Sequence, residues 1–207
     1  MILALNKWGI SVKLRFIHLY LLAMSPRIIL DTARFQLVID RLCHQLIENH
    51  GDFKETAIIG VQPRGIFLAE RIAKRIAQLS KNKHIELGRL DITFYRDDFR
   101  TNKSPLKANR TEIDFSLEGK QIILVDDVLY TGRTIRSALD ALLDFGRPAD
   151  VELLVLIDRR LHRHLPIQAK YAGKTIDSII DEKVLVEWQE QGEEDKVWLI
   201  HKTNPEK

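Results

Sequence analysis

Gln121-Ile-Ile-Leu-Val-Asp-Asp-Val-Leu-Tyr-Thr-Gly-Arg-Thr134 is the stretch on which the reading of this chain turns. Apolar residues from Ile122 to Val125 run unbroken into two carboxylates, and a glycine-containing turn precedes a helical pattern that begins at about Ile135. Strand, loop and helix are therefore expected in that order. A continuous apolar strand suits a parallel sheet covered on both faces, and ligands of such sheets sit beyond the carboxyl ends of the strands. Asp126 and Asp127 fall at that end. Backbone N–H groups from Tyr130 through Gly132 and Arg133 to Thr134 can curl around an anion at the positive end of the following helix, and the hydroxyls of Thr131 and Thr134 can add bonds. Carboxylates so close to a phosphate would repel it, so Asp126 and Asp127 are better read as acceptors for neutral hydroxyls nearby. A sugar phosphate satisfies both halves. The plainer alternative is a surface turn, where Asp, Thr and Gly are common anyway, but it does not explain why every part arrives in the order phosphate binding needs. The rival P-loop pattern, Gly-x-x-x-x-Gly-Lys-Ser/Thr, is absent.

At 207 residues the chain can form one domain with a substantial core and a small appended lobe. A formal net charge of only +3 excludes global attraction to nucleic acid and leaves room for a local basic face. The single cysteine, Cys43, excludes an internal disulfide framework and a multi-cysteine metal site. It lies in a helical apolar pattern, where a buried thiol and a reducing cytoplasm are expected. Residues 1 to 23 contain Lys7, Lys13 and Arg15 and no acidic residue. These charges interrupt the apolar run a membrane span would need, whereas Phe16 to Ala23 keeps a signal or transit peptide open. The reading adopted is a start at Met24, with 1–23 an extension and 24–207 a single domain.

Phe35, Val38, Ile39, Leu42 and Leu46 are spaced as one face of a helix, with Asp31 or Thr32 as its N-cap and Gly51 at its end. Thr56 to Val61 reads as a buried strand and Gln62-Pro63-Arg64-Gly65 as a tight turn. A second helix follows, burying Ile66, Ala69, Ile72, Ala73 and Ile76. Alternation from Ile85 to Tyr95 predicts a long strand, and Arg96 to Arg110, with five basic residues and Pro105, predicts a loop. Gly146 and Pro148 end a helix spanning 135 to 145, and Val151 to Ile157 is a further apolar strand ending at Asp158-Arg159. Alternating strands and helices predict an α/β fold with a mostly parallel sheet flanked by helices. Beyond Arg160 only short apolar runs remain, such as Val184 to Trp188 and Val197 to His201. A small hood of strands and loops, mainly 158–207, is expected there.

The central stretch resembles the phosphoribosyl diphosphate (PRPP) signature of type I phosphoribosyltransferases. Thr93-Phe-Tyr-Arg-Asp-Asp98, Phe145-Gly-Arg-Pro148, Ile157-Asp-Arg-Arg-Leu-His-Arg-His-Leu-Pro-Ile167 and Tyr171-Ala-Gly-Lys174 narrow the resemblance to the pyrimidine-operon regulator and uracil phosphoribosyltransferase family, PyrR. The resemblance implies the type I phosphoribosyltransferase fold and transfer of the phosphoribosyl group from PRPP to uracil, giving UMP and pyrophosphate. It implies Mg²⁺ carried by PRPP with no direct protein ligand. Arg64, with Pro63 and Gly65 in its turn, is then the pyrophosphate residue, and Arg96 and Arg100 belong to a basic lid. Asp126 and Asp127 hold the ribose hydroxyls, and Tyr130, Thr131, Gly132, Arg133 and Thr134 hold the 5-phosphate. Asp158, Arg159 and Lys174 belong to the base site in the hood. A 6-oxopurine phosphoribosyltransferase is the alternative enzyme; such enzymes generally present a lysine to the purine near the end of the last core strand, where this chain has Leu156-Ile-Asp-Arg159.

The same resemblance implies a homo-oligomer, dimer or tetramer, and regulation through a messenger RNA leader bound in the presence of UMP. Candidate RNA contacts are Arg41, His44, His162, Arg163 and Lys174. The chain departs from the family pattern at Asp40 beside Arg41, at Gln62-Pro63 in place of Lys-Thr, at Gln168 in place of a basic residue, and at an inserted Leu161. Each loses positive charge or changes local shape, so weak, electrostatic RNA binding is expected. Deletion of residues 1 to 23 is expected to leave soluble, folded protein, and loss of solubility on truncation would show that the extension packs into the core.

Overall fold

The computed structural model describes residues 25–80, 84–97, 108–178 and 181–201. The extension and Arg100 lie outside the described residues. Eight strands and three helices are described: β1 (Arg27–Leu30), α1 (Thr32–His50), β2 (Thr56–Val61), α2 (Gly65–Leu79), β3 (Leu87–Leu90), β4 (Gln121–Leu129), α3 (Arg133–Leu142), β5 (Asp150–Arg159), β6 (Tyr171–Ile176), β7 (Glu182–Glu187) and β8 (Lys196–His201). Asp31 caps α1 by accepting a bond from the Arg34 amide, and Gly51 ends it at a φ of 60°, as the apolar spacing predicts.

The main sheet is wholly parallel, in the order β3-β2-β4-β5-β6. Strand alternation divides its apolar side chains between two faces. Ile58, Ile123, Val125 and Leu154 pack under α1 and α2, whereas Ala57, Ile59, Ile122, Leu124 and Val155 pack with Ile135, Ala138 and Ala141 of α3. Covering both faces is what an all-parallel sheet requires. The order reverses between β2 and β4, and the crevice beyond their carboxyl ends is the position at which such sheets take ligands.

A second, antiparallel sheet, β1-β8-β7, forms the hood. It differs from the expectation of a hood mainly over 158–207 in two ways. β1, from the start of the domain, pairs with β8, and Tyr171–Ile176, in the range given to the hood, instead extends the main sheet as its edge strand. Trp188 anchors the hood: it is fully buried, edge-on to Phe35 with centroids 5.3 Å apart, and 5.8 Å from Phe67. The Arg71 guanidinium covers the Trp188 ring at 5.1 Å and donates to Glu190 and to both oxygens of Asp195. Two carboxylates and an aromatic face thereby bind the hood to α2.

The long strand expected over Ile85 to Tyr95 stops at Leu90. The Asp91 carboxylate accepts a bond from the Thr93 amide, which turns the chain into a short 3-10 segment over Thr93–Tyr95. Similarly, α3 ends at Leu142 and a 3-10 turn completes the helical range expected to 145. Among the described residues no helix is long and apolar enough to cross a membrane.

At the amino ends of the strands lies a buried polar network. His50 of α1 contacts Glu152 of β5 at 3.0 Å and Thr56 of β2 at 3.2 Å, and the Tyr171 hydroxyl donates to Glu152 at 2.7 Å. Burial acts to raise the Glu152 pKa, but bonds from Lys170 and Tyr171 and the neighbouring His50 outweigh it and hold the carboxyl below its ordinary range. Such a group stabilises the fold above its unfolded pKa, about 4.3, and loses that contribution as pH falls through the folded value. Glu152→Gln is therefore expected to cost about 1–3 kcal/mol at pH 7. Its difference from wild type should narrow as pH falls from about 4 through the lower folded pKa, beyond which wild type also carries a protonated carboxyl; urea unfolding at pH 7 and across the acid range checks this.

Candidate active site

β2 ends at Val61, and a cis Gln62–Pro63 peptide, Arg64 and Gly65 carry the chain into α2. A Cβ on Gly65 would stand 2.4 Å from the carbonyl oxygen of Val125 and 2.9 Å from Cα of Asp126. Only glycine lets the start of α2 lie against β4 at this point. The approach sets Arg64 beside the carboxylates: its Nε donates to Oδ2 of Asp127 at 2.8 Å, and its Nη2 donates to the Val186 carbonyl in the hood.

Asp126 and Asp127 lie inside β4 rather than beyond it, because the strand continues to Leu129. Pairing with β5 persists at Asp126, Val128 and Leu129 and extends the ladder. Asp126 is 6% exposed, and its Oδ1 accepts a bond from the Asp127 amide. Burial, and then the adjacent charge of Asp127, hold its carboxyl well above the ordinary range, although the Asp127 amide and Arg64 pull it down. Asp127 is half-buried and turned to Arg64. The pair thus divides into one carboxyl that resists ionisation and one already engaged by a cation.

The loop after β4 is braced from the segment that follows β5. Gly132 takes a φ of +91°, and a Cβ there would come within 3.3 Å of the Ile167 side chain. The Thr131 carbonyl accepts from the amides of His164 and Leu165 at 3.0 and 3.2 Å, and Arg163 donates to the Tyr130 carbonyl. The His162 ring meets Tyr130 edge-on, with centroids 6.0 Å apart. On one side of the loop Arg96, Asp97, Thr131, Arg133, Thr134 and Ser137 enclose a 160 Å³ hollow. On the other side, Asp158, Arg160, Arg163, Pro166, Ile167 and Gln168 line a 460 Å³ hollow. Arg133 pairs with Asp97, joining the start of α3 to the segment that carries Arg96.

Residues expected at the base site take different positions. Asp158 is paired with Arg163 at 2.5 Å. Arg159 is buried, its guanidinium 3.9 Å from the centre of the Tyr130 ring, and it donates to Ser178 Oγ and the Glu182 carbonyl. It therefore joins the loop to the hood. Lys174 is exposed on β6 and reaches the Ile29 carbonyl at 3.4 Å. Of the candidate RNA contacts, Arg41 donates to the Ala172 and Gly173 carbonyls of edge strand β6, and Arg163 is held by the loop and Asp158. His44 is exposed on α1, and the His162 Nε2 is buried without a hydrogen-bond partner. Asp40 does not neutralise Arg41; its carboxylate turns to Arg75 of α2 at 2.7 Å.

Sequence reasoning missed Asp91. It is 8% exposed and directly follows β3 on the ligand-bearing edge, and its carboxylate accepts from the Thr93 and Asn109 amides at 2.6 Å each. The available signal was an Asp two residues before a Thr, a pattern that closes local turns. Among the described residues no cluster of three or more His, Cys, Asp or Glu is arranged to hold a metal ion.

A parallel sheet with a hood, an acidic pair beside a phosphate-sized loop and an arginine turn define a phosphoribosyltransferase. The family described as "Phosphoribosyl transferase domain" matches residues 27–191, and the chain belongs to it. Its relatives within the family include the bifunctional protein PyrR of Haemophilus ducreyi, 48% identical over 179 residues, covering 86% of this chain and 98% of that one. The bifunctional protein PyrR of Bacillus cereus is 43% identical over 178 residues, covering 84% and 97%. Among solved structures, a hypoxanthine phosphoribosyltransferase from Staphylococcus aureus (TM-score 0.63, 21% identity, covering 86% of this chain and 93% of that one) shares the fold. So does one from Trypanosoma cruzi (0.64, 14%, covering 84% and 96%).

Because the native state holds the Asp126 proton more tightly than the unfolded chain does, stability declines as pH rises from about 4 toward the folded pKa. Asp126→Asn removes that decline. Its melting temperature is expected to equal or exceed wild type at pH 8, with a smaller difference at pH 5.

Proposed function

We propose that the chain transfers the phosphoribosyl group of PRPP to uracil, giving UMP and pyrophosphate. The observation that carries this reading is the meeting, at the switch between β2 and β4, of the Arg64 turn, the Asp126–Asp127 pair and the Tyr130–Thr134 loop. In the free site Asp127 holds Arg64. An arriving diphosphate offers the guanidinium a more highly charged partner, and the exchange releases Asp127 to accept from the ribose hydroxyls. Amides at the start of α3, with the Thr131 and Thr134 hydroxyls, receive the 5-phosphate. Arg64 and Arg96 stabilise charge that develops on the departing pyrophosphate. Asp127, once released from Arg64, is the ionised carboxylate beside the sugar and favours the positive charge that grows there as the bond from C1 breaks, while buried Asp126 holds its place in β4.

Mg²⁺ takes oxygen donors and keeps few protein ligands, so an ion arriving with PRPP would be held by the oxygens of PRPP itself, with no direct protein ligand. When bound, Mg²⁺ supplies neutralisation of the diphosphate charge. Uracil is favoured over a 6-oxopurine because the PyrR relatives are 43–48% identical whereas the hypoxanthine enzymes match at 14–21% and share only the fold. The 460 Å³ hollow beside Asp158 is the proposed base site. Phe94, Leu143 and Phe145, exposed around the contact between Tyr95 and Asp144, support a homo-oligomer, dimer or tetramer.

UMP formation from uracil, measured in competition with hypoxanthine and guanine, tests the assignment; faster turnover of a purine overturns it. Asp127→Asn is expected to lower kcat/KM for PRPP by about 100-fold, the scale of a lost charge-assisted contact, and equal PRPP affinity would remove Asp127 from the site. UMP-dependent binding of a messenger leader is a second activity that the bifunctional relatives support. With Arg41 and Arg163 committed to backbone carbonyls, that binding is expected to be weak and salt-sensitive. Tight, UMP-enhanced preference for the native leader over a scrambled hairpin at high salt would refute this.

A further inference from the structure

A buried carboxylate is costly unless its lone pairs are satisfied, so the donors that Asp91 has gathered show what it holds. A local turn accounts for one of them: Oδ1 takes the Thr93 amide at 2.6 Å, two residues on. It does not account for the other, because Oδ2 takes the amide of Asn109, eighteen residues away, also at 2.6 Å. One carboxylate thus grips the chain on both sides of residues 98–107. The Asp91 amide adds a bond to Thr111 Oγ1 at 3.0 Å, and Arg89 and Glu112 exchange two backbone bonds at 2.8 Å. Burial acts to raise the Asp91 pKa, but the Thr93 and Asn109 bonds outweigh it and hold the carboxyl below its ordinary range, so both oxygens accept at neutral pH.

The grip lies next to the pyrophosphate turn. Val61 and Leu90 are register partners, the Gln62 amide donates to the Leu90 carbonyl at 2.9 Å, and the Gln62 side chain donates to the Arg110 carbonyl at 2.7 Å. Gln62 is one of the positions at which the chain departs from the family pattern, and here it joins the turn to the segment returning toward β4. On the outgoing side, Thr93–Asp97 is fastened to the 3-10 turn after α3 through Tyr95 with Asp144 and to the start of α3 through Asp97 with Arg133. Arg96 lies between these fastenings and lines one hollow with Thr131 and Thr134.

We propose that Asp91, assisted by Gln62, is a positioning residue for phosphoribosyl transfer, setting Arg96 against the phosphate loop and Arg110 against the pyrophosphate turn. The proposal rests on the reading of this site as a PRPP site. Asp91→Asn keeps one acceptor and turns a donor toward an amide, Asp91→Ala removes both acceptors, and Gln62→Ala removes the tie to Arg110. Expected losses in kcat/KM for PRPP are about 10-fold for Asn and for Gln62→Ala and about 100-fold for Asp91→Ala, the scale of one and two lost bonds to a charged or buried group. KM for uracil should remain within about twofold, a split that general loosening of the fold would not produce. Asp91→Ala within twofold of wild type in kcat/KM for PRPP would overturn the proposal; if that variant does not fold, the same result from Asp91→Asn and Gln62→Ala together would do so. Hydrogen exchange of the Thr93 and Asn109 amides separates the proposal from the reading beneath it. Protection in wild type that is lost at one of the two amides in Asp91→Asn and at both in Asp91→Ala supports the grip even if the wild-type enzyme proves inactive with uracil, and absence of protection in wild type overturns the grip even if the enzyme is active.

Discussion

The contact between the start of α2 and the end of β4 is the constraint on which the site depends. With no Cβ at Gly65, the helix backbone lies against Val125 and Asp126 at a separation any side chain would prevent. Gly60, one strand over, has the same property toward Ile66 and Ala69. Together they bring α2 down on the sheet, so that Arg64 meets Asp127 across the switch point. A residue with a Cβ at 65 would separate the Arg64 turn from the acidic pair while leaving the sheet intact.

Polar groups are buried at both ends of this sheet, with opposite consequences. At the amino ends, Glu152 is surrounded by His50, Lys170 and Tyr171, and its charge is well satisfied. At the carboxyl ends, Asp126 is buried against another carboxylate and holds its proton more tightly than an ordinary aspartate. The first arrangement stabilises the fold. The second is unfavourable for the ionised form in the free protein, and such perturbed groups cluster where a ligand completes the electrostatics.

Arginines act as rivets as much as ligands. Arg71 fixes the hood to α2, and Arg159 ties Tyr130 to Ser178 and Glu182. Arg41 covers the edge of β6, where unpaired carbonyls would otherwise face solvent. A planar guanidinium with five donors can bridge several carbonyls or carboxylates at once, and this explains why residues selected as ligands for their charge are found joining elements.

Local pattern was enough for the elements whose physics is local. The α1 stripe and its Asp31 cap, the buried runs of β2, β4 and β5, the Gly132 turn and the resulting parallel α/β sheet all follow from periodicity and turn chemistry over a few neighbouring residues. The adjacent carboxylates of Asp126 and Asp127 and the turn from Tyr130 to Thr134 were legible for the same reason. What tertiary structure decided involves partners far apart in sequence: β1 joining β8, β6 leaving the hood for the main sheet, and Arg159 and Arg163 turning inward to Tyr130 in the loop after β4. Asp91 shows the division within one side chain. Its bond to Thr93 is a local turn that the sequence could have indicated, whereas its bond to Asn109 exists only because the sheet brings the chain back to the end of β3.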